Sequence, residues 1–430
     1  MLIFIKTLYY QLIRSVYLRN IFILSSGVGS SQLIALLLLP FLTRFFSPND
    51  FGVFAVFMSV IQLIAISATF RLEMAIVLPK KDSDAVLLCL MSLFSLTIFS
   101  LITSVIIFII TYYSIESSVL DLPIHALYLI PIGSFFMGFY NILYSWNNRL
   151  ESYKNMSYSH ILHSCISTPS SFLFYFLSLG SIALILGQII GRFFACALLI
   201  KSWFNTFKEI DHNKMYNQMC FLWNTYNKFP KFELPQTILN FMSQKYIVAF
   251  FTLYSTTTAV GVFDLADKIL GKPLAIISNS FKTVFYQRLT TAQNKKNIFI
   301  KSLALMMLIG FVLTIPFYYL PDTFFIFILG DEWGDTGRYI QLICPLIFSR
   351  FVFTVVSPTI SYTLKNHLLL FWQIIYFVSL VVLFSVLSNL QFSNENILLI
   401  YSMLGAFMYT LLGVISYLVL IKNIKKVSGR

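Results

Sequence analysis

Charge is what this 430-residue chain has least of: Asp, Glu, Lys and Arg make up 11% of it, against about 25% in a typical soluble domain. So few charged groups cannot cover the surface of a water-soluble protein of this length. With 58% hydrophobic and 17% aromatic residues and a mean hydropathy of +0.80, the chain belongs in a bilayer. Cysteine is scarce too. Cys89, Cys165, Cys196, Cys220 and Cys344 are dispersed through apolar runs without a C-x-x-C pair, which suggests neither a disulfide framework nor a thiolate metal centre. No G-x-x-x-x-G-K-[ST] loop, H-E-x-x-H or G-x-S-x-G motif occurs, so the residues that would hydrolyse a nucleotide, hold a catalytic zinc or present a nucleophilic serine are missing. Asp82-Ser83-Asp84 has the D-x-D spacing of many glycosyltransferase metal sites, yet it occupies a short turn with no domain around it. The sequence therefore predicts a protein that is not an enzyme, with no catalytic residue, metal or cofactor.

Long apolar runs are what the chain does contain. A spanning helix needs about 20 such residues. Runs bounded by polar or turn residues predict helices at 20–44, 51–79, 84–112, 122–145, 155–178, 180–203, 229–255, 258–288, 297–320, 337–361, 368–388 and 396–421, an all-α integral membrane protein of about twelve spans. Residues 1–19 read as an uncleaved cytoplasmic or interfacial segment, 204–228 as a basic cytoplasmic linker, and 422–430 as a basic cytoplasmic tail. These divide the rest into an N-lobe, 20–203, and a C-lobe, 229–421, of six spans each.

The distribution of charge sets the expected topology. With the N-terminus inside, 21 of the 30 Lys and Arg fall in cytoplasmic segments, whereas only Arg44 and Arg338 fall in outward ones, which carry acids such as Asp50, Asp322, Asp331 and Glu395 instead. That asymmetry predicts both termini in the cytoplasm. It also accounts for the net charge of +13 as a topological signal, so nucleic acid is not an expected partner.

An internal repeat supports the division into lobes. At an offset of 209, Leu42 to Phe54 (LTRFFSPNDFGVF) aligns with Phe251 to Phe263 (FTLYSTTTAVGVF), matching Ser47 with Thr256, Gly52 with Gly261, Val53 with Val262 and Phe54 with Phe263. Six spans return the chain to the side it started from, so the halves are parallel repeats, an arrangement whose substrate site lies at the repeat interface.

Seven basic residues fall inside predicted spans: Arg71, Arg192, Lys245, Lys268, Lys272, Lys282 and Arg350. At roughly 3 kcal/mol each for lipid exposure, together about 20 kcal/mol, they must face water, protein or ligand. The eighth span is the most informative, with Asp264, Lys268 and Lys272 at i, i+4 and i+8 and Asn279 and Lys282 continuing near that face. Similar polar stripes mark the second span (Ser59, Gln62, Thr69, Glu73), the fifth (His160, His163, Ser164, Ser167, Ser171) and the seventh (Glu233, Gln236, Asn240, Gln244). They imply a central aqueous cavity. Against Glu73, Asp264 and Asp267 the seven cations leave it net positive, which selects an anion such as a phosphate or pyrophosphate headgroup. The three carboxylates are also the candidates for ion coupling, although a structural ion pair is the more ordinary role for each of them.

The stretches Leu39 to Val60 (LPFLTRFFSPNDFGVFAVFMSV) and Phe70 to Ala85 (FRLEMAIVLPKKDSDA) resemble the N-terminal half of the bacterial polysaccharide biosynthesis proteins, the flippases of O-antigen and capsule repeat units. Asn227 to Gln244, Gly261 to Leu289 and Leu329 to Leu346 are similar to that family's second half, so the resemblance covers about residues 20–421. It implies a MATE-like fold, two six-helix lobes forming a V around a cavity in the bacterial inner membrane. It further implies movement of undecaprenyl-pyrophosphate-linked oligosaccharide from the inner to the outer leaflet by alternating access, with ion coupling. Membrane lipids, a polysaccharide polymerase and a chain-length regulator would be its neighbours. The alternatives are a multidrug or other anionic-substrate exporter of the same fold, or a membrane polysaccharide polymerase or ligase. The multidrug reading suits an acidic cavity better than this basic one, and the polymerase reading would call for a large outward loop, where the longest here is about 321–336.

Overall fold

The computed structural model describes residues 16–113, 122–203, 215–291, 294–363, 365–390 and 392–428, and every regular element among them is helical. The expected interfacial segment up to residue 15, and the loop charges Asp121 and Lys208, lie outside the described residues.

The chain divides into two compact units, one of Met1–Phe45 with Val56–Ile238 and the other of Phe46–Ala55 with Leu239–Arg430. Unit one holds α1 (Val16–Phe45), most of α2 (Pro48–Ala68), α3 (Asp82–Tyr112), α4 (Ile124–Arg149), α5 (Tyr153–Tyr175), α6 (Ser181–Leu199) and α7 (Met215–Tyr226). Unit two holds most of α8 (Leu234–Tyr254), then α9 (Thr257–Ala266), α10 (Lys272–Thr291), α11 (Lys295–Tyr319), α12 (Asp322–Leu329) and α13 (Thr336–Val356). It ends with α14 (Pro358–Tyr362), α15 (Asn366–Leu387) and α16 (Asn394–Ser428).

Among the described residues nine helices are long and apolar enough to cross a membrane, which makes the chain a multi-pass membrane protein. The expected spans that fall short are the fifth, seventh and eighth: α5, α8 and the run from α9 to α10. Length is not what they lack, since α5 has 23 residues and α8 has 21. Their polar stripes lower their hydropathy, and groups that polar cross a bilayer only when screened by protein or water.

The start of α2 is written in the sequence. Ser47 Oγ accepts from the Asp50 backbone N–H at 3.2 Å while the Asp50 carboxylate accepts from Ser47 N–H at 3.1 Å and from its hydroxyl at 2.8 Å. This reciprocal cap, with Pro48 at the first helical position, starts the helix three residues before the expected 51. Its end comes earlier than expected. The span predicted to run to 79 stops at Ala68, where Thr69 bonds back to the carbonyls of Ala65 and Ile66. Phe70 and Arg71 then take left-handed φ of 51° and 58°, and a 3-10 turn, Leu72–Val77, follows. Arg71 and Glu73 therefore stand beyond the spanning helix, not inside it. Two left-handed non-glycine residues cost about 1–2 kcal/mol each, which burial of Leu72, Ala75 and Ile76 offsets.

Proline explains the two π turns. Phe229–Glu233 precedes Pro235, and Asp267–Gly271 precedes Pro273. Each proline lacks an N–H and would crowd the carbonyl four residues back, which lies within the widened turn. In the second, the Lys272 N–H reaches the Asp267 carbonyl.

The stretch read as a linker is partly built into unit one. Residues 204–214 lie outside the described residues, but α7 buries Leu222 beside Trp146, Leu199 and Trp203. The aligned repeat segments meet directly within unit two. A Cβ added to Gly52 would strike the Thr257 carbonyl, and one added to Gly261 would strike the Pro48 carbonyl. Because Pro48 and Thr257 are themselves matched at the offset of 209, each segment presents the same glycine to the same position of the other. Thr256 caps α9 by accepting from the Ala259 N–H at 3.2 Å, as Ser47 caps α2.

Candidate functional site

Unit two gathers six of the ten charged residues singled out from the sequence. The α9–α10 run presents Asp264, Asp267, Lys268 and Lys272, α8 presents Lys245 and α13 presents Arg350. The Lys268 ammonium lies 2.6 Å from Asp264 Oδ2, and Lys245 lies 3.8 Å from Oδ1 of the same carboxylate. Arg350 Nη2 donates to Asp267 Oδ1 at 3.0 Å. The ammonium of Lys268 also sits over the rings of Phe51 and Phe54, 5.2 Å and 4.8 Å from their centroids, so the aromatic faces hold a cation that water cannot fully solvate.

The π turn changes the expected stripe. In an unbroken α-helix Lys272 would stand one turn beyond Lys268 on the face of Asp264. With the extra residue of Asp267–Gly271 in between, Lys272 is exposed and makes no ion pair among the described residues, though it stays in the field of Asp267, Asp264 and Lys245. The site thus holds four cations around two carboxylates, and Lys272 is the one of the four without an ion pair among the described residues. Lys282 lies ten residues further along α10, about 15 Å at helical rise, and is outside this group.

The close packing at Gly271 is a feature that sequence reasoning missed. A Cβ there would collide with the Asp267 carboxylate and the Arg350 guanidinium. Its signal was available, as the residue between the charged face and the Lys272-Pro273 pair. Phe51 and Phe54 were also missed as cation partners, although they flank the repeat glycine, because nothing in their spacing points to Lys268.

Unit one holds the other sites apart. Arg71 and Glu73 form a 2.9 Å ion pair with Glu73 buried. Asp82 of the D-x-D sequence is engaged by Arg149, whose Nη2 reaches Oδ1 at 2.8 Å while Nη1 donates to the carbonyls of Ile76 and Pro79 at 3.1 and 2.6 Å. This clamp fixes the turn after α2. The fifth-span stripe is mostly a packing seam and not the wall of a cavity: Ser164 bonds Ser31 at 2.7 Å, and Gly187 and Gly191 of α6 lie directly against Ser167 and Ser171. Small residues of this kind let membrane helices approach closely. Arg192 stands on α6 with its guanidinium over the Tyr140 ring at 4.7 Å.

The sequence profile of a family described as polysaccharide biosynthesis protein matches residues 41–338. No curated protein matches the chain by sequence. The fold is similar to that of the lipid II flippase MurJ in an inward closed conformation, with a TM-score of 0.70 and 14% identity, covering 94% of this chain and 87% of that one. It is similar as well to a multidrug resistance MATE family transporter of the MOP superfamily, inward-facing, with a TM-score of 0.63 and 13% identity, covering 94% of this chain and 95% of that one. A MATE protein in complex with MaL6 matches with a TM-score of 0.58 and 12% identity, covering 98% of this chain and 99% of that one. At these identities the likeness establishes a shared fold.

Proposed function

Since the chain belongs to the polysaccharide biosynthesis protein family, we propose that it is a flippase that moves undecaprenyl-pyrophosphate-linked oligosaccharide units from the inner to the outer leaflet of the cytoplasmic membrane, for O-antigen, capsule or a related surface polymer. The observation that carries this reading is the cluster of Lys245, Lys268, Lys272 and Arg350 around only Asp264 and Asp267, five of the six on α8 and the α9–α10 run, which are more polar than the nine apolar helices. A pyrophosphate brings the negative charge that such a cluster lacks, and charge-assisted hydrogen bonds to phosphate oxygens are among the strong ones. Lys272, exposed and unpaired among the described residues, would meet the headgroup first.

In this reading the protein has no catalytic step and crosses the membrane twelve times, with α5, α8 and the α9–α10 run completing the nine apolar helices and both termini in the cytoplasm. Movement is by alternating access and ion-coupled. Because Asp264 and Asp267 are already held by cations, coupling would act by competition: a proton or metal cation taken up by either carboxylate frees Lys268 or Arg350 for the headgroup.

The deciding experiment depletes the protein and follows the leaflet distribution of the lipid-linked oligosaccharide with an impermeant sugar-modifying reagent. Accumulation of single repeat units on the cytoplasmic face, with loss of surface polymer, is the expected result. Normal arrival of single units on the outer face, left unpolymerised or unattached, would overturn the flippase reading in favour of a polymerase or ligase.

A further inference from the structure

Past the charge cluster, α10 (Lys272–Thr291) keeps a polar face. At about 100° per residue, Asn279, Thr283 and Tyr286 fall within about 40° of Lys272 around the helix axis, and Lys282 within about 80°. Lys272, Asn279, Thr283 and Tyr286 are all exposed, with Ala275 and Ile276 between them, while Leu274, Phe285 and Leu289 are buried on the other side. A face this polar in a membrane-spanning run must meet water or a ligand and not acyl chains. Its groups are open. The Asn279 amide makes no hydrogen bond among the described residues, and the Thr283 hydroxyl donates to the Asn279 carbonyl at 3.2 Å, which leaves its oxygen able to accept. Lys282, half-buried beside them, has no ion pair among the described residues. No carboxylate is placed to give it one: α10 and the helices packed against it, α11, α13 and α14, contain no Asp or Glu. Asp264 and Asp267 lie about four turns or more back along the chain, and both are already held by cations.

A lysine stem can carry its ammonium along a helix toward water, but the Cα–Cβ bond tilts toward the helix N-terminus, which for Lys282 is the Lys272 end. We propose that this face of α10 is an oligosaccharide track, on which Lys282 pairs with the carboxylate of an acidic sugar, a uronate or similar sugar acid, while Lys272 meets the pyrophosphate. The inference rests on the flippase reading and adds the class of sugar carried. Lys272 and Lys282 are about 15 Å apart at helical rise, too far for one pyrophosphate to reach both. The second cation therefore calls for a second anion on the same substrate, a few sugar residues out from the first. Asn279 and Thr283 flank Lys282 and offer an amide and a hydroxyl to the hydroxyl groups of the sugar ring. The exposed ring of Tyr286, one turn further on, offers an apolar face to the next sugar.

The test measures binding of three probes to the full chain in lipid nanodiscs: undecaprenyl pyrophosphate, the lipid-linked oligosaccharide extracted from cells depleted of the protein, and the same extract with its carboxylates converted to neutral methylamides. The unmodified extract is expected to bind about tenfold or more tightly than the amidated one, as a hydrogen bond to a charged group would give. Lys282→Gln should remove that difference by weakening the unmodified extract alone, Lys282→Arg should keep it, and Lys272→Gln should weaken all three probes. An extract without an acidic sugar, or one whose only negative charge beyond the pyrophosphate is a phosphodiester, would overturn the proposal. So would a preference for the unmodified extract that survives Lys282→Gln. If the unaltered protein bound none of the three lipids, the flippase reading itself would fall, and this inference with it.

Discussion

Removing Lys272 and removing Arg350 should have different consequences, although both residues are cations of one cluster. Arg350 neutralises Asp267 at 3.0 Å in a partly buried pair, and truncating one partner leaves the other charge uncompensated, at a cost below the roughly 3–5 kcal/mol of a fully buried pair. Arg350→Ala should therefore lower both export and the amount of folded protein in the membrane. Lys272 has no ion-pair partner among the described residues, so Lys272→Ala should lower export at normal abundance. Immunoblotting of membranes beside a surface-polymer assay separates the two outcomes, and full export by both variants would remove the headgroup role of the cluster. Gly271 extends the same argument. Gly271→Ala should displace the Asp267–Arg350 pair and reduce export several-fold, whereas Gly29→Ala, where an added Cβ meets nothing within 4 Å, should leave export unchanged. The charges themselves were legible in the sequence because a cation in an apolar run has few explanations. Which cations pair and which stay free was not, since that depends on one extra residue in the π turn.

Elements built by local chemistry were the more legible ones. Ser47, Pro48 and Asp50 specify the start of α2 by residue type and spacing alone, and a proline in a polar helix marks each π turn. The end of α2 carried no comparable signal. Phe70 and Arg71 are poor candidates for left-handed backbone, and only the burial of Leu72 and Ile76 and the Arg149 clamp, both long-range, hold them there. Serine misled in the opposite direction, because a small hydroxyl suits a water-lined wall and a close helix crossing equally well. The short Gly52–Gly261 repeat proved to mark a contact. Gly52→Leu or Gly261→Leu should force the two segments apart and destabilise unit two by about 1–3 kcal/mol. The check is thermal unfolding of the purified protein: a substantial drop for each variant is expected, and wild-type melting with leucine at both positions would mean the crossing is not tightly packed.

At the scale of the whole molecule, direction is what matters for a flippase, and direction rests on topology. The charge asymmetry predicts that the loops rich in Lys and Arg face the cytoplasm, and six expected spans, α1 to α6, separate the N-terminus from α7. Those six return α7 to the N-terminal side only if α5 also crosses, despite its polar seam. Cys220 on α7 reports on this, because its side chain is exposed and it lies outside every apolar span. A membrane-impermeant maleimide should label it in inverted membrane vesicles and not in intact spheroplasts. Cys165 is also exposed, so the signal must disappear in Cys220→Ser. Labelling of Cys220 from the outer face would mean that an odd number of helices precedes α7 or that the chain is inserted the other way. In either case the basic cluster of unit two would be inverted relative to the leaflet that supplies the lipid-linked substrate, and inner-to-outer transport would lose its structural basis.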